Sequence, residues 1–293
     1  MQKYFICGIF LLFAIAVNAQ QRTFMPPTYW ENIDFESTLE LAKKGDKEYQ
    51  LIVALYYLDI LSDSEKFRYW IEKAASQNNS EALRIMAQFY YIGDYGFPID
   101  ENKAIEYAQK AASLNNVHAM TMIYEAYCSG MGKLPTDETR ATYWAQRGAS
   151  MGDAHLQFEC GWRYLKGIGC PKNEKEGLSW LHKSADQKNI EAQAFLITFY
   201  GTARNDQESK NKIMSVGLDF LINPDIDQNT EAILLAKGIL GAEFFNRKNY
   251  KKGISLMREG LQTQNELLQF YWRTMNEYAQ EVLGTTISEL ENQ

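Results

Sequence analysis

Apolar positions between Ser80 and Asn116 fall into two stripes of helical spacing. Ala82, Ile85, Met86, Phe89 and Tyr90 line one face of a first helix. Ala104, Ile105, Tyr107, Ala108, Ala111 and Ala112 line a second. Between them Gly93 and Gly96 break the pattern, and Pro98 forbids helix continuation because it lacks the amide and clashes with the preceding turn. Asp100 stands where a side-chain oxygen would cap the next helix, and Asn115-Asn116 is expected to end it. The pattern predicts two antiparallel helices joined by a tight turn.

The unit recurs. Trp70, Tyr107, Trp144 and Trp180 follow one another at steps of 37, 37 and 36 residues. Each precedes a small pair: Ala74-Ala75, Ala111-Ala112, Gly148-Ala149 and Ser184-Ala185. Tyr90, Tyr127, Tyr164 and Tyr200 keep the same step. Gly130, Gly132 and Pro135, then Gly167, Gly169 and Pro171, repeat the punctuation, with Asp137 and Asn173 in the place of Asp100. A fixed period of this size marks one supersecondary unit copied along a stack. The flanks are less regular. Residues 20–45 are expected to form an amino-terminal segment with a capping helix over 35–44, and 46–201 the repeats. Residues 202–228 read as an irregular repeat, with a degenerate helix around 207–222 and a break at Asn223-Pro224-Asp225. Residues 229–283 read as a further pair over 229–264 plus a carboxy-terminal capping helix, and 284–293 as a tail. A bend is expected at 202–228.

The segments Gly93–Ala112 and Gly167–Ala185 strongly resemble Sel-one-like repeats, a branch of the tetratricopeptide superfamily, and the resemblance covers roughly residues 40–201. It implies an all-α, right-handed α-solenoid of stacked antiparallel helix pairs. The pair 229–264 resembles a plain tetratricopeptide unit at Leu240-Gly241, Phe244, Tyr250, Gly253 and Gly260. Sel-one-like repeats prefer Leu-Gly in the middle of the first helix. Here those places hold Met86-Ala87, Ile123-Tyr124, Cys160-Gly161 and Leu196-Ile197, so Tyr124 and Ile197 are expected to disturb the close packing of their helices. The resemblance implies a non-catalytic scaffold, often in the bacterial envelope, that binds a protein or peptide through a concave face of first helices. It implies no cofactor and no metal. That face would carry Arg84, Gln88 and Tyr91, then Thr121, Glu125 and Cys128, then Phe158, Trp162 and Leu165, then Ala194 and Thr198. Phe158, Trp162 and Leu165 would set three large apolar groups on a solvent face, as interaction sites do. The competing expectation is that they pack beneath the following first helix or the 202–225 segment. Leu51, Leu55 and Leu58 show the same spacing and are expected to lie beneath residues 20–45.

Residues 1–19 carry Lys3 as their only charge, an apolar run from Tyr4 to Val17, and small residues before Gln20. They read as a secretory signal peptide, so the mature chain is expected in the periplasm or outside the cell. Net charge is −7 with no Lys/Arg block, which argues against a nucleic-acid partner, since such binding leans on phosphate neutralisation. No later segment has the ~20 apolar residues of a membrane span. Cys128, Cys160 and Cys170 make no dense disulfide framework, and Cys160 falls where other repeats hold apolar residues. His118, His155 and His182 match no metal motif. Ser209 and Lys212 match Ser-x-x-Lys without the companion motifs of serine enzymes. Besides the scaffold, two alternatives stay open: an accessory subunit or regulator of an envelope enzyme, and a self-assembling structural protein.

Overall fold

The computed structural model describes residues 24–203, 206–223, 230–281 and 283–291. The expected signal peptide and the Pro224-Asp225 break lie outside them. The described residues form helices and turns only, as the repeat pattern predicts. They divide into two compact units, one comprising the chain up to Met151 with Gly167–Pro171, the other comprising Gly152–Lys166 and the chain from Lys172 onward.

The first unit opens with α1 (Pro27–Glu31) and α2 (Phe35–Lys43). Three helix pairs follow: α3 (Lys47–Asp59) with α4 (Ser64–Ser76), α5 (Ser80–Ile92) with α6 (Glu101–Ser113), and α7 (Val117–Ser129) with α8 (Glu138–Ser150). Leu51, Leu55 and Leu58 are buried, and α2 packs on α3 with Phe35 stacked on Tyr56 at 4.1 Å. The second helices start as the pattern predicts. The Asp63, Asp100 and Asp137 carboxylates accept from the amides of Lys66, Lys103 and Arg140, each cap contributing about 1 kcal/mol. In the later two pairs the capping residue's own amide donates to the column tyrosine, Asp100 to Tyr90 and Asp137 to Tyr127. Asn115-Asn116 ends α6 as expected and also starts the next helix. Asn115 turns the chain at φ 66°, and Asn116 caps α7 through the Ala119 amide. Its Nδ2 also donates to Glu81 at 3.0 Å, as Asn79 does to Glu48 at 2.9 Å, so caps tie consecutive first helices together.

The column aromatics are covered by a cation one helical turn on. Lys73, Lys110 and Arg147 lie 5.3–5.5 Å from the ring centres of Trp70, Tyr107 and Trp144. This is the geometry of a cation–π contact. The glycine-bearing turns dock onto the second helix of the preceding pair. Arg68 donates to the Gly96 carbonyl at 3.0 Å, the Gly132 amide to Glu101 at 2.7 Å, and the Thr142 hydroxyl to the Ile168 carbonyl at 2.8 Å.

The second unit holds α9 (Ala154–Lys166), α10 (Glu174–Asp186), α11 (Ile190–Ala203), α12 (Gln207–Leu221), α13 (Glu231–Asn246) and α14 (Tyr250–Gly260). A 3-10 turn (Leu261–Thr263), α15 (Glu266–Glu281) and α16 (Ile287–Glu291) complete it. Asn173 caps α10 through the Glu176 amide. The degenerate 207–222 segment is a regular helix capped by Asp206, which accepts from the Ser209 amide at 2.7 Å. Within 284–293, α16 buries Ile287 and Leu290, and Glu291 pairs with Arg258 at 2.8 Å.

Packing within the pairs follows the size of one residue in the first helix. The pairs with Gly161 and Gly241 at that place make the most extensive contact. Those with Ala54 and Ala87 make less, and those with Tyr124 and Ile197 least. A Cβ on Gly161 would lie 2.8 Å from the Gly177 carbonyl oxygen, and one on Gly241 2.7 Å from that of Gly253. Backbones approach closely only where the side chain is missing.

Candidate functional site

The partner-binding candidates of the first unit sit on α5 and α7. Arg84 is held along its own helix. Its Nε and Nη2 donate to Glu81 at 2.9 and 2.7 Å, and its Nη1 to Gln88 at 3.0 Å. The guanidinium is therefore engaged and half-buried, with the Gln88 amide beside it. Burial pushes the Glu81 carboxyl up, but Arg84, Asn116 and the His118 charge outweigh it and hold it below its usual range. Tyr91 is half-buried. Its hydroxyl is pushed up first by burial, then by the Glu101 and Glu125 charges, which places Tyr91 and Glu125 as electrostatic neighbours. Thr121 and Cys128 are half-buried on the same helix as Glu125.

The apolar candidates belong to the second unit. Phe158 and Trp162 are half-buried. The Trp162 ring meets Phe195 of α11 edge-on at 5.5 Å, Phe195 stacks on Phe199 at 6.1 Å, and the Lys166 ammonium lies 4.7 Å from the Trp162 ring centre. Two expectations are corrected. Leu165 is buried, because Gly177 in the first turn of α10 leaves space that the leucine fills. Ala194 is fully buried, and the half-buried aromatics of α11 are Phe195 and Phe199. Ile190, Ala192, Ala194, Leu196 and Ile197 bury other sides of α11. A helix apolar all round does not show in its sequence which side faces out. The large aromatics at i and i+4 were the signal available.

Two other sequence features have structural roles. His182 Nε2 lies 2.8 Å from the Tyr200 hydroxyl. Burial pulls the imidazole below its ordinary value, Lys212 adds to this, and Asp186 opposes it. Lys212 pairs with Glu208 at 2.7 Å and lies over the Tyr200 ring, while Ser209 is buried in the capped first turn of α12.

A cleft of about 410 Å³, which the pattern did not indicate, opens beside α12, α13 and α15. Ile213, Ile239 and Met275 lie along it with Tyr250, Phe270, Tyr271 and Tyr278, and Lys210 and Lys248 supply its cations. Its parts come from helices distant in sequence, so no local period announces it. No described helix is long and apolar enough to cross a membrane.

A protein-family model described as Sel1 repeat matches residues 54–79, 80–116, 122–153 and 154–189. No match was found among curated proteins. Among solved structures, the chain is similar to a protective antigen present in uropathogenic Escherichia coli strains that displays an SLR fold. The TM-score is 0.68 at 20% identity, over 89% of this chain and 54% of that one. The chain thus spans about half the length of that structure. A Sel1 repeat protein from Oxalobacter formigenes is similar with a TM-score of 0.48 at 17% identity, over 82% of this chain and 79% of that one. At 20% identity the likeness to the protective antigen is one of fold.

Proposed function

We propose that this chain, which a Sel1-repeat family model matches over residues 54–116 and 122–189, is an exported, non-catalytic scaffold of that family that binds a protein or peptide through its first helices. Sel1 repeats generally mediate protein interactions. The observation that carries the reading is the aromatic run Trp162, Phe195 and Phe199, whose rings meet in turn, with Phe158 one helical turn before Trp162 on α9; all four are only half-buried. Tryptophan is over-represented among the residues that dominate binding energy, and its indole N–H adds a directed donor to a large apolar area. In the first unit, Arg84, Gln88, Tyr91 and Glu125 supply a polar set suited to orienting a bound chain. Export is supported by the charge and apolar pattern of residues 1–19.

The test is affinity capture from an envelope fraction with the full-length mature chain and a Phe158→Ala/Trp162→Ala variant as parallel baits. Far-UV circular dichroism and the unfolding midpoint establish that the variant is folded. A partner retained by the parent and lost by the variant is the expected result. Equal capture by both baits sinks the assignment of this face.

A further inference from the structure

We infer that the cleft beside α12, α13 and α15 is a separate recognition site for an acidic peptide, taking one large apolar side chain between flanking carboxylates. The inference rests on the scaffold reading and places a second contact on the same chain.

The shape comes first. Leu268 at the start of α15 is fully buried against Gly238 of α13, where a Cβ would lie 2.5 Å from the leucine. Further along α15 the cleft opens, with Tyr278 6.2 Å from Phe245 and Phe245 edge-on to Tyr250 at 5.0 Å. Phe270 and Tyr278 stay 59% and 39% exposed, high values for aromatics beside a cleft. A volume of about 410 Å³ lies at the small end of ligand sites, enough for a large side chain with adjoining backbone.

Charge selects the occupant. The cleft carries Lys210, Lys248 and Glu243. Glu243 is already taken, accepting from Arg247 Nε at 2.6 Å, and Arg247 also reaches Asn211 at 3.2 Å. Among the described residues neither Lys210 nor Lys248 has an ion pair. A chain of net charge −7 thus presents two uncompensated ammonium groups around an aromatic cleft. Opposite charge steers association and rejects wrong partners, so carboxylates on both sides of an apolar residue fit, and lysines do not.

The experiment is fluorescence anisotropy of the full chain with a dye-labelled heptapeptide, phenylalanine flanked by three Asp or Glu on each side. Controls replace the phenylalanine with alanine or the acids with lysines. Expected are saturable binding that weakens with salt, at least about tenfold loss with either control peptide, and similar loss in a folded Lys210→Glu/Lys248→Glu variant. A Thr274→Trp variant, which fills the cleft without changing its charge, should also lose binding. The Phe158→Ala/Trp162→Ala variant should bind like the parent. No binding at millimolar peptide, equal binding of the lysine-flanked peptide, or parent-like binding by both cleft variants would overturn the inference. Partner capture through Phe158 and Trp162 would still stand in that event, so the two readings fail separately.

Discussion

Gly161 and Gly177 face each other where α9 and α10 touch. A methyl group on Gly161 would meet Leu181 Cγ at 2.7 Å and the Gly177 carbonyl oxygen at 2.8 Å. Alanine favours a helix over glycine by about 1 kcal/mol, but overpacking costs roughly 1–3 kcal/mol, and backbone cannot rotate aside as a side chain can. Gly161→Ala is therefore expected to lower stability despite its better propensity, measured as a lower urea midpoint. An unchanged or higher midpoint would show that the helices can separate at little cost. His182 makes a pH prediction. Its folded-state value lies below the ordinary 6.5, so the fold favours the neutral ring. That contribution is fully present above about pH 6.5 and is lost as pH falls from there through the folded-state value. Urea midpoints between pH 7.5 and 5 should fall for the parent and fall less steeply for His182→Gln. Parallel curves would remove His182 from the acid limb.

At the scale of elements, the glycine-bearing turns separate two costs. Gly96 has φ +80° with open space where a Cβ would go, whereas Gly169 has φ +66° with the Glu138 carbonyl in that place. A left-handed alanine costs roughly 1–2 kcal/mol. Gly96→Ala should lose about that much, and Gly169→Ala clearly more, because its turn must also lift off α8 and strain the Thr142 bond to Ile168. Equal losses in denaturant titration would mean that backbone conformation alone sets the cost. These turns also mark what could be read from the chain. The helix stripes, the Asp100, Asp137 and Asn173 caps and the punctuating glycines are local and show as spacing. Docking of Gly132 on Glu101 and of Ile168 on Thr142 joins residues about one repeat apart, so the glycines announce a turn and not its seat. Helix α12 was legible in its bounds, 207–222 against the observed Gln207–Leu221, but not in its repeat register, for a related reason. Its buried Ile213, Gly217 and Phe220 depart from the column residues, and Gly217 is required by the close approach of Leu240.

At the scale of the whole molecule, helices within each unit pack chiefly on those one or two places away in sequence. The candidate sites show the limit of reading such a stack from its period. Phe158 and Trp162 stood out because they set large apolar groups one helical turn apart on the face of α9 that the repeat resemblance turns to solvent. Leu165 was misplaced because its burial depends on a missing side chain at Gly177, and the cleft escaped because Lys210, Lys248 and Tyr278 share no repeat. Near-neighbour packing also predicts how damage spreads. In repeat stacks stability is a sum of unit and nearest-neighbour terms, and helices open in local cooperative groups. Gly241→Val would drive its side chain into the Gly253 carbonyl and the Met257 amide, each 2.7 Å from the Cβ position. Amide hydrogen exchange should then quicken in α13 and α14 while protection in α3 to α6 stays at the parent level. If protection fell by one factor across all these helices, the chain would unfold as a single block, and substitutions near the cleft would weaken every site on the scaffold together.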